Sequence, residues 1–133
     1  VAQGEQPLVY QHLQSVDQLR GFDRILYWGD FLHWLGYGTR DFVKRQMIRN
    51  PALSAEQALE PWYRLMLLEG SPELHARTVV FGSTLYGLHA GELAQPRYAA
   101  AIVPLYAAAR AVLMRDVYSA NAVAQFAGRR GAP

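Results

Sequence analysis

Two residue pairs in this chain have the spacing of metal ligands on one helix face: Asp30 with His33, and His89 with Glu92. Each is an i, i+3 pair, so on a helix the two side chains point the same way. Bundles hold metals with such pairs on facing helices, but the di-iron pattern takes Glu-x-x-His from two helices plus further glutamates. No Glu-x-x-His occurs here, and four histidines among eleven acids produce such pairs by chance. No metal and no cofactor is therefore expected.

Acid–base and nucleophilic chemistry are weakly supported. Asp23 and Asp30 are one heptad apart, about 10 Å along a helix, too far to share a proton but suited to lining one groove. Buried against Tyr27 and Trp34, their pKa values would rise. Ser15, Ser54 and Ser71 read as helix caps. Ser83 and His89 would point about 120° apart on a helix, and no Gly-x-Ser-x-Gly elbow is present. The chain has no cysteine, which excludes disulfides, thiolate catalysis and cysteine zinc sites. No catalytic residue is assigned, and an enzyme is not the expected class.

Two surfaces remain. The first is a ligand or partner surface made of Asp23, Tyr27, Asp30, His33, Trp34 and Tyr37, with His89 brought in from a second helix. Trp28, Trp62 and Tyr63 add to an aromatic content larger than one small core comfortably hides, and Trp, Tyr and Arg dominate binding hot spots. The second is a basic patch of Arg40, Lys44, Arg45 and Arg49. Nucleic-acid binding normally takes a larger basic field than this, and the formal charge is only +2.

The elements that must position these residues read as helices. Seven aromatic residues fall between Phe22 and Phe42. On a helix that stretch is apolar nearly all round, with Asp23, Asp30, Trp34 and Asp41 returning to within about 20° of one line. Gly29 and Gly36 lie on another face, where a neighbouring backbone is expected. Ser15-Val-Asp-Gln18 and Ser54-Ala-Glu-Gln57 are capping boxes. Gly36-Tyr-Gly38 reads as a helix stop, with Thr39 capping a short basic helix that ends at Asn50-Pro51. Pro61 kinks or restarts the next helix. Gly70-Ser-Pro-Glu73 separates it from a helix running to about Leu93, with Ser83, Gly87, Ala90 and Ala94 as a small-residue stripe. Gln95-Pro96 opens a last, Ala-rich helix that Pro104 kinks or splits. No run shows the alternation of a half-buried strand.

With 133 residues, 51% of them hydrophobic and 18% charged, the chain has material for one core. The expected fold is all-α: a single domain over 1–133, a bundle of about five helices with short loops and loose tails at 1–7 and 127–133. No uncharged run reaches the roughly 20 residues of a membrane span. A first residue of Val fits either a trimmed cytoplasmic chain or a mature exported one. The functional expectation is a non-enzymatic helical interaction module or accessory subunit of a bacterial assembly, binding another protein or itself, with peripheral docking to a membrane complex left open. The alternatives are a bundle that binds a small ligand or cofactor through Asp23, Asp30, His33 and His89, and a nucleic-acid-binding domain using the Arg40–Arg49 helix.

Overall fold

The computed structural model describes residues 10–85 and 90–129, and it corrects the all-α expectation at Ile25. Ile25–Trp28 is a strand (β1), and it joins Thr78–Ser83 (β2) and Ala111–Met114 (β3) in a three-stranded parallel sheet of order β1-β2-β3. The chain is not a helical bundle. The physical reason lies in strand length and context. Parallel strands read as short continuous apolar runs rather than alternating ones, and a four-residue run cannot be told from a buried helix by periodicity. Ile-Leu-Tyr-Trp and Ala-Val-Leu-Met are such runs, while Thr-Val-Val in β2 carries the β-branched side chains that fit a pleated sheet.

The helices are crossovers. From β1 the chain passes through a π turn (Tyr37–Phe42), α1 (Val43–Arg49), α2 (Ala55–Leu65) and a 3-10 turn (Pro72–Arg77) into β2. From β2 it passes through α3 (Ala90–Leu93) and α4 (Pro96–Ala108) into β3, and α5 (Val117–Ala127) follows. Parallel connections are right-handed, so two successive crossovers in the same direction fall on the same face of the sheet. Burial agrees: Ile25, Tyr27, Thr78, Val80, Val112 and Met114 are buried, and most of them join a core with Trp62, Tyr98, Ile102, Leu105 and Tyr106.

Several local signals hold and others change meaning. Both capping boxes form, around Ser15 on a 3-10 turn and around Ser54 on α2. Pro61 lies inside α2 and Pro104 inside α4, while Asn50 terminates α1. Gly36-Tyr-Gly38 is not a helix stop. A Cβ on Gly38 would sit 2.5 Å from the Trp62 ring, so this glycine lets the π turn close onto a buried tryptophan. The expected Ser71–Leu93 helix is instead a 3-10 turn followed by β2 as far as Ser83, so Ser83 is a strand residue and not part of a helical small-residue stripe; Gly87 lies outside the described residues.

Gly82 has φ +70° and marks a register shift between Phe81 and Ser83 against β3. The extra residue is a bulge, which only glycine adopts cheaply in this conformation. It reverses the alternation of β2 and turns Ser83 inward, where it is buried. Across the helical layer, Arg97 of α4 donates to both carboxylate oxygens of Glu60 (2.6 and 3.0 Å) and of Glu69 (2.7 and 2.6 Å). Its guanidinium also lies 4.0 Å from the Tyr63 ring centroid.

Candidate functional site

The strand register places two rows of apolar residues on the face opposite the helices. Leu26, Val79 and Ala111 form one row, and Trp28, Phe81 and Leu113 the next. Leu26 is 58% exposed, Trp28 76% and Phe81 46%. The Trp28 and Phe81 rings meet edge to face with centroids 6.4 Å apart. With side-chain areas of about 150–250 Å² for large aromatics, these three residues alone expose on the order of 300–400 Å². A contiguous patch of that size is often functional on a soluble protein. Parallel sheets are normally covered on both faces, and among the described residues this one carries helices on one.

The two ends of the patch differ in charge. Arg24, Arg77 and Arg110 each immediately precede a strand at the amino edge of the parallel sheet; Arg24 and Arg77 are in the register of the exposed rows, whereas Arg110 stands opposite the buried Thr78 in the row that faces the helices. None of them forms an ion pair among the described residues. Arg24 donates to the Asp23 carbonyl at 2.6 Å, and Arg77 to the carbonyls of Arg20 and Phe22 at 3.1 and 3.3 Å. At the carboxyl edge the cation is neutralised, because Arg115 pairs with Asp30. There Ser83 Oγ and the Thr84 amide both donate to the Asp30 carbonyl, at 3.3 and 2.6 Å. Asp116 caps α5 by accepting from the Ser119 amide and hydroxyl, at 2.8 and 2.7 Å.

The residues expected to form a single stripe are dispersed. Asp23 is exposed at the entry to β1, and Asp30 follows its carboxyl end. Tyr27 is buried on the helix side, its hydroxyl donating to the Leu65 carbonyl. His33 is fully buried, with Nδ1 2.9 Å from the Tyr106 hydroxyl. Desolvation lowers its pKa to about 4, against a smaller opposing contribution from the Met66 carbonyl. Trp34 donates to Glu92 at 3.1 Å and carries the Arg40 guanidinium 5.1 Å from its ring centroid. Tyr37 opens the π turn, half-buried against the core. His89 lies outside the described residues. Among those residues no group of three or more His, Asp or Glu side chains converges.

Arg40, Lys44, Arg45 and Arg49 are all exposed along the π turn and α1. A shallow groove of about 410 Å³ lies nearby, lined by Leu35, Gly36, Thr39, Tyr63, Glu92 and Gln95 among others. Among the described residues Glu92 is the one carboxylate in its lining.

Helical spacing does not single out Leu26, Phe81, Arg77 or Arg110. A signal for them exists. Arg-Ile-Leu-Tyr-Trp, Arg-Thr-Val-Val-Phe and Arg-Ala-Val-Leu-Met are three versions of one pattern, an arginine followed by four residues suited to a strand.

No protein-family model matches the chain, and no curated protein or solved structure matches it either. Among the described residues no helix is long and apolar enough to cross a membrane.

Proposed function

We propose that the chain is an association module whose bare sheet face receives a layer of another protein. The observation that carries this reading is the pair of apolar rows across β1, β2 and β3, with Trp28 and Phe81 at their most exposed end. Water on that face costs about 25 cal/mol per Å² of apolar surface left uncovered. The arrangement is also poor in groups that would do covalent chemistry. The test is native mass spectrometry of the chain purified from its own host, beside a Trp28→Ser/Phe81→Ser variant. A defined complex that the variant loses, with its circular dichroism unchanged, supports the reading. An unaccompanied wild-type monomer, or a complex the variant keeps, overturns it.

A second reading rests on the carboxyl edge. Open α/β sheets bind ligands beyond the carboxyl ends of their strands, and Asp30, Ser83, Arg115 and Asp116 stand there. Small-ligand binding at that edge replaces the earlier grouping of Asp23 with Asp30, since the two residues bracket β1 from opposite ends. Unchanged ligand affinity in an Asp30→Asn/Arg115→Gln variant would remove it.

A further inference from the structure

We infer that the occupant of the bare sheet face is a single amphipathic α-helix of a partner protein, flanked by acidic residues at the end that meets Arg24 and Arg77. This deepens the association reading and rests on it. Size comes first. Three strands spaced about 4.8 Å apart span about 10 Å between the outer two, which is the diameter of one helix with its side chains. Four residues of strand extend about 13 Å, the length of about nine helical residues. One helix of two to three turns therefore covers both apolar rows, and the fold already solves the opposite face with helices.

Charge selects the partner. Arg24 and Arg77, without an ion pair among the described residues, stand at the amino edge in the register of the bare face, while Arg115 at the other edge is already paired with Asp30. A helix with carboxylates over the arginine edge gains attraction there, and one with lysines is repelled. The chain's own exposed helix α1 carries Lys44, Arg45 and Arg49, so a second copy docking through it brings the wrong sign. Helix α5 contains no charged residue and offers nothing to the arginines.

The experiment uses stapled helical peptides of about 15 residues with leucine and alanine on one face, because free peptides of that length are marginal helices in water. One series carries glutamates beside the apolar face and the other lysines. Binding is read by titration calorimetry and by the blue shift of Trp28, at two salt concentrations. The glutamate peptide is expected to bind at least about tenfold more tightly than the lysine peptide, with the gap narrowing at high salt. Arg24→Gln/Arg77→Gln should shrink the gap several-fold, and Trp28→Ser should weaken both peptides. Equal affinities, or a gap insensitive to the arginine substitutions, overturn the helix's acidic character while leaving the association reading intact. Failure of Trp28→Ser to affect either peptide removes both. Binding to vesicles of phosphatidylserine and phosphatidylcholine, with no binding of either peptide, replaces the helix by an anionic membrane surface and overturns the inference.

Discussion

The Nδ1 atom of His33 lies 2.9 Å from the hydroxyl of Tyr106, a contact between residues 73 apart in sequence that forms inside a fully buried cluster. The Tyr27 ring stands edge to face against the same imidazole, at 4.7 Å between centroids, and Tyr98 donates to the His33 carbonyl at 2.9 Å. The contacts of His33 among the described residues are tyrosines and backbone, with no carboxylate to hold a proton on the buried imidazole.

Acid destabilisation follows from that environment. The His33 pKa falls from 6.5 to about 4 on folding, so the unfolded chain binds the proton first as pH drops. Stability should decline from about pH 6.5 and reach its full loss below about pH 4, a change of about 3 kcal/mol at 1.36 kcal/mol per unit. Burial lowers His75 in the same direction, so urea melts of a His33→Gln variant isolate the His33 share. The variant should be less stable at pH 7 but show a shallower slope between pH 6.5 and 4. An unchanged slope would refute the assignment.

Gly38→Ala should destabilise the fold by roughly 1–3 kcal/mol, the usual cost of overpacking. The new methyl meets the Trp62 ring, which is fully buried and donates to the Leu32 carbonyl at 2.8 Å, so the ring has little freedom to retreat. Thermal melts with near-ultraviolet circular dichroism report both the loss and the altered tryptophan environment.

Gly82→Ala tests the bulge. Space for a Cβ exists, since nothing lies within 4 Å of its ideal position, but φ +70° costs an L-residue about 1–2 kcal/mol. Denaturant unfolding should show a loss of that size. No loss would mean the bulge relaxes freely, and Ser83 would then no longer be held inward.

The Arg97 cluster should give a modest and pH-dependent effect. Arg97→Met is expected to cost about 1 kcal/mol, because the side chains are about one-third exposed and water screens the pairs. Hydrogen bonding to Arg97 lowers the Glu60 pKa, so this contribution is present above about pH 4.5 and fades as pH falls below it. A difference between variant and wild type that stays constant from pH 7 to pH 3 would contradict the pairing.

Much of the helical grammar was legible and the sheet was not. Ser54 with Gln57, Pro96 at a helix start and Asn50 before Pro51 act within a few residues, so local chemistry reveals them. Ile25–Trp28 carries no such signature. Its strand character depends on pairing with Thr78–Phe81, more than fifty residues away, and a helix placed the same apolar residues equally well. The inward position of His33 needed Tyr106 and Tyr98 in place, which no local spacing encodes. The aromatic surplus of the sequence already includes Trp28, whereas Leu26 and Phe81 join it only through the strand register. Trp62 and Tyr63, counted with Trp28, are buried.

Because all three strands run the same way, the bare face has a head and a tail. Every strand enters through an arginine, and the outer two leave toward a carboxylate–guanidinium pair, so turning a docked rod end for end gives an inequivalent complex. A sheet of alternating strand direction would distribute its leading residues over both ends and present no such arrow. The surface can therefore fix the orientation of whatever lies across it, and with it the side from which the rest of an attached molecule must arrive.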